Sequence, residues 1–419
     1  MTDVLPSAPA AEETPRPGLL TPLRYPMFRF LVAGRTVTMA GNAVAPIALA
    51  FAVLDLTGSA RDLGVVVGVR SLTNVLFVLF GGVIADRLPR QLVMVGASTL
   101  ACLTQAAVAT SVLTGTATIP LLIGLSAVNG LAAALAFPAA SALMPQTVPV
   151  EVRQQANAIN RLGINSAMIA GASLGGLLVA TAGPGWGLAI DAATFGVAGL
   201  LFALVRVPRL ARAAERTSVF ADLRIGWTGF IGRTWLWVVV AGFCVINAAM
   251  TGSMNVLGPV VADAEFGRKA WGLVLAVETL GMVVGALLAM RVRVKRLLFY
   301  GVLWCAGDLV LVLALGLAPQ VVPLLIAGFA VGVALEQFSV AWETTMQEHV
   351  PGEMLARVYS YDMLGSILAV PIGQVAAGPL AEHFGVRPTL VGAAALCALA
   401  TIGMLLSRDV RHLPHAAAA

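Results

Sequence analysis

The chain has 419 residues, of which 59% are hydrophobic and only 11% are charged, with a formal net charge of +5. Soluble domains are about 45–50% apolar and about 25% charged, so this composition excludes a soluble globular protein and indicates a lipid environment. The basic residues fall in short clusters between apolar runs and form no basic stripe, which argues against a nucleic-acid partner.

The chain opens with a polar segment, and a series of apolar segments follows. Residues 1–25 are rich in Pro and Ala, and we expect a disordered cytosolic tail there, with no cleaved signal peptide. About twelve later segments reach the roughly 20 apolar residues that a spanning helix needs. The predicted spans, numbered 1 to 12, are 28–53, 63–85, 92–114, 119–144, 156–181, 186–205, 236–260, 270–290, 297–317, 322–342, 359–381 and 388–407.

Basic residues are distributed unevenly between the two sets of loops. Nineteen of the 26 fall on one side and four on the other. Cytoplasmic loops carry the excess of Lys and Arg, so both termini are expected in the cytosol and the protein in the plasma membrane. The predicted organisation is a six-helix bundle at 26–205, a basic interfacial linker at 206–235, a second six-helix bundle at 236–408 and a cytosolic tail at 409–419.

Spans 5 and 6 repeat as spans 11 and 12. A shift of 202 residues superimposes several identical residues without a gap, among them Pro149 on Pro351, Glu151 on Glu353, Gly171 on Gly373, Gly176 on Gly378 and Gly183 on Gly385. Two similar six-helix halves are typical of a secondary transporter, whose site lies at the interface between them. The predicted fold class is therefore an all-α membrane protein with twelve transmembrane helices in two pseudo-symmetric six-helix bundles.

Four spans carry polar residues three, four or seven positions apart, and therefore on one helix face. They are Arg35, Thr38 and Asn42 on span 1; Asn157, Arg161 and Asn165 on span 5; Asn247, Thr251 and Asn255 on span 7; and Glu336, Ser339 and Glu343 on span 10. A polar stripe facing lipid is unfavourable. We expect these faces to line a central aqueous cavity together with Arg70, Asn74, Asn129 and Gln337. The alternatives are hydrogen bonding between helices for each stripe and structural pairing for each charge.

Three intramembrane carboxyl groups are candidate proton carriers: Glu336, Glu278 and Asp308. Glu336 is preferred because it lies near mid-membrane on a polar face, with no basic residue within a helical turn. Asp308 lies on span 9, which we expect at the periphery. Glu278 and Arg70 occupy matching places after WGLVLAV and LGVVVGV, and they pair either with each other or elsewhere.

Two short motifs carry a family resemblance. GGVIADRLPRQ at 81–91 resembles the loop 2–3 signature of the major facilitator superfamily, G-x-x-x-D-R-x-G-R-[KR], through Gly82, Asp86, Arg87 and Arg90, whereas Pro89 and Gln91 depart from it. GASLGG at 171–176 resembles the helix-5 antiporter signature of that superfamily through Gly171, Gly175 and Gly176, with Ala172 in place of its usual Pro.

Longer stretches resemble one branch of this superfamily. FPAASALMPQTVP and ETTMQEHVPGEMLARVYS are similar to the branch that contains enterobactin- and macrolide-type exporters. The resemblance implies a gate loop in which Asp86 lies against the cytosolic end of span 11, near 357–362, in the outward-facing state. The helix-4 signature of many proton antiporters has an Arg where this chain has Ser126, so the proton relay is expected to differ.

These observations favour an exporter of small amphipathic molecules that works by proton antiport with alternating access. The expected partners are a small-molecule substrate, protons and the lipid bilayer, and we expect a monomer with no cofactor and no metal site. An importer or facilitator of a polar metabolite is the alternative within transport. A membrane-embedded enzyme is an alternative of another class, but the sequence has no Walker motif, Asp-rich metal motif or nucleophile elbow.

Overall fold

In the computed structural model of the protein, the described residues are 20–206, 219–289, 291 and 294–415. The expected disorder of residues 1–19 and the middle of the predicted linker lie outside them. Some helical residues within these ranges have undescribed side chains, namely 79–87, 137–138, 141–142, 150, 154, 219–223, 225, 352–353 and 356–357.

Six long helices form the first half of the protein, one for each of spans 1 to 6. They are α1 (Pro26–Thr57), α2 (Ala60–Arg87), α3 (Arg90–Leu113), α4 (Ile119–Leu143), α5 (Arg153–Ala182) and α6 (Pro184–Ala203). Pro lies in the first turn of α1, α4 and α6, where its missing N–H would have no intrahelical partner. Within this half, α1 packs on α5 and α6, and α2 packs on α4.

The second half follows the helix α7 (Val219–Ile231) and contains more interrupted spans. Its helices are α8 (Thr234–Gly252), α9 (Gly258–Val261), α10 (Arg268–Ala289), α11 (Leu297–Trp304), α12 (Gly307–Leu317), α13 (Val321–His349), α14 (Gly352–Ile367), α15 (Val370–Phe384), α16 (Val386–Leu406) and α17 (Arg408–His412). Span 7 consists of α8 and α9, span 9 of α11 and α12, and span 11 of α14 and α15.

The predicted all-α membrane fold is confirmed. Among the described residues, eleven helical stretches are long and apolar enough to cross a membrane. The helix α2, of 28 residues, is long enough to be the twelfth, although part of its side chains lies outside the description.

The interruption of span 7 has a local chemical cause. Pro259 has no N–H to donate to the carbonyl oxygen of Asn255, so the hydrogen-bond ladder shifts there. Gly258 donates its N–H to Ser253, five residues back, and Ser253–Leu257 forms a π-helical turn. Such turns occur frequently at functional sites. Here the turn carries Asn255, one of the predicted cavity residues.

The internal repeat is visible in the backbone. Gly183 ends α5 with φ 93° and ψ 164°, and Gly385 ends α15 with φ 93° and ψ 154°, a conformation that favours glycine. The packing is repeated as well. A Cβ atom on Gly171 would lie 2.5 Å from the Ala40 carbonyl oxygen in α1, and Gly373 meets the carbonyl of Ala248 in the equivalent helix α8.

The two halves meet through glycines near the end of the bundle that lies opposite both chain termini. A Cβ on Gly176 of α5 would lie 2.7 Å from the Gly272 Cα in α10. The repeat places α15 against α2 in the same way, since Gly378 meets the backbone of Arg61. In the helix-5 motif, Gly175 packs on Val44 within the first half. Gly176, the last glycine of the motif, therefore lies at the contact between the two halves.

Replacing Gly176 by Val should lower the thermal stability of the purified protein in detergent. The added methyl groups have no space against α10, and overpacking of this kind costs about 1–3 kcal/mol. Gly403→Val is the matched control, because a Cβ at Gly403 meets nothing within 4 Å. Equal melting temperatures for the two variants would contradict the close approach of α5 and α10.

Candidate functional site

A cavity of about 280 Å³ lies within the first half. The helices α1, α2 and α4 bring six of the predicted polar residues together there: Arg35, Thr38, Asn42, Arg70, Asn74 and Asn129. Its remaining walls are mostly apolar, and Met363 of α14 joins them from the second half. The stripe on span 1 therefore lines a cavity within the first half, whereas the prediction was one central cavity for all four stripes.

Arg70 is held by a network of polar side chains behind the cavity wall. Its Nε donates to the Asn129 Oδ1 at 2.9 Å, and the Asn129 amide lies 3.4 Å from the Thr104 hydroxyl. The negative charge of Asp191 on α6 also acts on Arg70. Asp191 is 1% exposed and accepts a hydrogen bond of 2.7 Å from Gln105. A buried guanidinium needs such compensation in a low-dielectric interior.

A second cavity, of about 160 Å³, lies within the second half. The span 7 stripe lines it through Asn247, Thr251 and Asn255, and two acidic residues complete its polar surface: Glu278 of α10 and Asp308 of α12. The two carboxyl groups are close enough to interact electrostatically. The break between α11 and α12 places Asp308 in the first turn of α12, and its N–H donates across the break to the Cys305 carbonyl.

The two cavities have opposite charges at equivalent positions of the repeat. Arg70 and Glu278 do not line the same cavity, so of the two predicted arrangements the structure has the one in which each interacts elsewhere. Arg70 interacts with Asn129 and Asp191, and Glu278 with Asp308. Among the described lining residues, the first cavity has basic groups and no carboxylate, and the second has carboxyl groups and no basic group.

The stripes on spans 5 and 10 line neither cavity, and instead they face each other between the halves. Arg161 of α5 pairs with Glu343 of α13 at 3.5 Å, and their side chains are 68% and 49% exposed. Glu336 is half-buried beside this pair, and its carboxyl group interacts electrostatically with both charges. The spacing of residues along α13 predicts no basic residue beside Glu336. Arg161 lies on α5, so this spacing could not reveal it.

The other predicted residues on these two helices have separate surroundings. Asn157 is exposed and Asn165 is half-buried. The Ser339 hydroxyl donates to the Leu335 carbonyl in its own helix. Gln337 is 2% exposed and bridges three helices, since it accepts a hydrogen bond from the Tyr300 hydroxyl and donates one to the Gly285 carbonyl. Gln337 therefore takes part in hydrogen bonding between helices, which was the alternative to lining a cavity.

The predicted gate loop falls mostly outside the described side chains. The backbone of α2 continues to Arg87, but the side chains of Gly82, Asp86 and Arg87, and of Arg357 opposite, are not described. Arg90, the first residue of α3, has a half-buried side chain. The contact of Asp86 with the end of span 11 therefore stays a prediction.

An ion triad closes the end of the bundle opposite the termini, and the sequence reasoning missed it. Arg268, the first residue of α10, donates to both carboxylate oxygens of Asp55 in the other half at 3.0 and 2.5 Å. Its Nε donates to Asp263 at 2.7 Å, and its guanidinium lies 4.6 Å from the centre of the Phe51 ring. Asp55 lies in the last turn of α1 and Arg268 in the first turn of α10. Each charge interacts unfavourably with the dipole of its own helix, and the ion pair between them compensates for this.

Arg268→Gln should loosen this end of the bundle. With spin labels at the exposed positions Leu56 and Ala264 in a protein without native cysteines, we expect a longer-distance population to increase about fivefold, which corresponds to about 1 kcal/mol. Double electron–electron resonance spectroscopy measures the distribution of distances between the two labels. Arg387→Gln is the matched control, because its ion pair with Glu265 lies within the second half. The same distance distribution in both variants would show that the triad does not hold the halves together.

Comparison with known proteins identifies this arrangement of two half-bundles. The chain is 26% identical to the multidrug efflux pump Tap of Mycolicibacterium fortuitum, over 88% of this chain and 91% of that protein. It is 25% identical to the enterobactin exporter EntS of Escherichia coli O1:K1, over 91% of each chain. Its fold matches the nucleoside transporter NupG with a TM-score of 0.72 and 13% identity, over 90% of this chain and 98% of that one. Residues 31–361 match the Major Facilitator Superfamily, and the chain therefore belongs to this family as a multi-pass membrane transporter of small molecules and not as an enzyme.

Proposed function

We propose that this protein exports small amphipathic molecules from the cytosol by proton antiport. The observation that carries the proposal is the pair of carboxyl groups, Glu278 and Asp308, in a cavity of the second half without a described basic group. Two negative charges side by side in a low-dielectric interior are unfavourable. Binding of a proton relieves this repulsion, so the pair is suited to take up and release protons as the cavity changes its exposure.

The printed names of two relatives support the proposed direction of transport, and two further observations support the orientation and the conformation of the chain. The excess of basic residues in one set of loops favours an orientation with both termini in the cytosol and the protein in the plasma membrane. Described contacts between the halves then close the outer end through the Asp55–Arg268 pair, whereas Arg161 and Glu343 nearer the inner end are exposed. The printed names of Tap and EntS are those of an efflux pump and an exporter.

The packing between the halves supports alternating access. At the contacts of α5 with α10 and of α15 with α2, the glycines present no side chain that would interlock, so two rigid halves can rock against each other there. Moving one proton through about 100 mV is worth about 2.3 kcal/mol, or roughly a 50-fold substrate gradient. A monomer that moves one proton in each transport cycle can therefore drive modest extrusion of its substrate.

Everted membrane vesicles energised by respiration should accumulate at least one compound from a panel of radiolabelled anionic, neutral and cationic amphiphiles. The antiport model requires that this accumulation collapses when carbonyl cyanide m-chlorophenylhydrazone dissipates the proton gradient. Vesicles without the protein are the control. Accumulation that survives complete dissipation of the gradient would exclude proton antiport.

Glu278→Gln and Asp308→Asn should each abolish gradient-driven accumulation and retain exchange of labelled for unlabelled substrate. Exchange needs the halves to rock, but it does not need proton release. Glu265→Gln is the matched control, because Glu265 is an exposed carboxylate outside both cavities. Loss of accumulation in Glu336→Gln, with normal accumulation in both cavity variants, would instead assign proton coupling to Glu336.

A further inference from the structure

The positive charges in the first cavity are not balanced by its described walls. Arg35 and Arg70 both line it, and no described lining residue is acidic. Arg35 is half-buried and has no hydrogen-bond or ion-pair partner among the described residues. A cation that is partly withdrawn from water is stabilised by an anion beside it. The site is therefore one negative charge short.

Arg70 is compensated only in part, and from behind. Asp191 acts on Arg70 but does not line the cavity, and one of its carboxylate oxygens, Oδ1, is buried without a hydrogen-bond partner in the described chain. Asp191 thus offsets the charge of one guanidinium, and the cavity keeps the charge of the other.

The rest of the cavity suits an apolar molecule. Its walls include Met39, Met94, Phe195, Phe202 and Met363 with several alanines. The volume of about 280 Å³ lies at the lower end of the range for small-ligand pockets, about 300–1,000 Å³. Methionine side chains adapt to different shapes, which suits a site that accepts more than one compound.

We infer that this cavity binds the anionic group of the transported molecule, so the substrates are amphipathic anions with a carboxylate, sulfonate or acidic phenol. The inference rests on the proposed function and narrows its substrate class. The anion lies between Arg35 and Arg70, and the apolar body lies against Met39, Met94 and Phe195. A cationic amphiphile meets two guanidinium groups there, and a neutral one leaves Arg35 unpaired.

Three probes of one shape separate charge from hydrophobicity: 1-naphthaleneacetate, its neutral amide 1-naphthaleneacetamide and the cation 1-naphthylethylammonium. Each is measured by equilibrium binding to the purified full-length protein in detergent at neutral pH. The anion should bind saturably and at least about tenfold more tightly than the amide, because its carboxylate forms an ion pair with the guanidinium groups and the neutral amide does not. The cation should bind more weakly than either.

Arg35→Gln should weaken binding of the anion about tenfold and leave binding of the amide unchanged. Arg70→Gln should do the same. If Arg70→Gln does not fold, because Asn129 and Asp191 lose their partner, Arg35→Gln decides alone, since Arg35 has no described partner to lose. Arg387→Gln, on the exposed outer surface, is the control and should bind all three probes as the unaltered protein does.

Absence of saturable anion binding, equal affinity for the anion and the amide, or anion binding unaffected by Arg35→Gln would each overturn the inference. These results are independent of the proposed function, because binding in detergent needs no proton gradient. Selective anion binding without gradient-driven accumulation in vesicles would support the cavity assignment and reject antiport. Gradient-driven accumulation of only neutral or cationic compounds would support antiport and reject the anion site.

Discussion

The low dielectric of the bilayer interior governs where each charged side chain of this protein lies. A charge at mid-membrane is unfavourable by about 2.5–3.5 kcal/mol even on insertion scales, so it needs a partner or water. Arg161 meets this requirement with Glu343, and Arg70 meets it in part with Asn129 and Asp191. Arg35, Glu278 and Asp308 meet it less completely, and all three line cavities. The incompletely compensated charges thus mark the parts of the bundle where an ion or a charged molecule is stabilised.

Two kinds of contact hold the halves together, and they differ in what they resist. The glycine contacts between α5 and α10 and between α15 and α2 are short-range and allow the helices to slide. The Asp55–Arg268–Asp263 triad is directional and breaks as soon as its atoms separate. Such a combination gives one well-defined closed arrangement at the end opposite the termini without making it permanent.

Helical spacing was sufficient to predict which residues of single spans lie on one face. The stripes Arg35–Asn42 and Asn247–Asn255 line cavities because residues three, four and seven apart share a face in any helix. Spacing does not tell which helices lie opposite each other. It therefore could not divide the polar residues into a basic and an acidic cavity, or place Arg161 beside Glu336. Spacing could not place Asp191 and Gln105 beside Arg70 for the same reason, and the irregular turn before Pro259 was not predicted.

The opposite charges at Arg70 and Glu278 have an electrical consequence for transport. If an anion leaves the cell from the basic cavity while a proton enters through the acidic one, both movements carry positive charge inward. A singly charged substrate then moves two elementary charges in each cycle, worth about 4.6 kcal/mol at about 100 mV. The membrane voltage alone would then sustain a gradient of more than about 10³-fold, even with equal pH on both sides. Divergence of the two halves in sign, from one ancestral repeat, would thus double the charge on which the membrane voltage acts in each cycle.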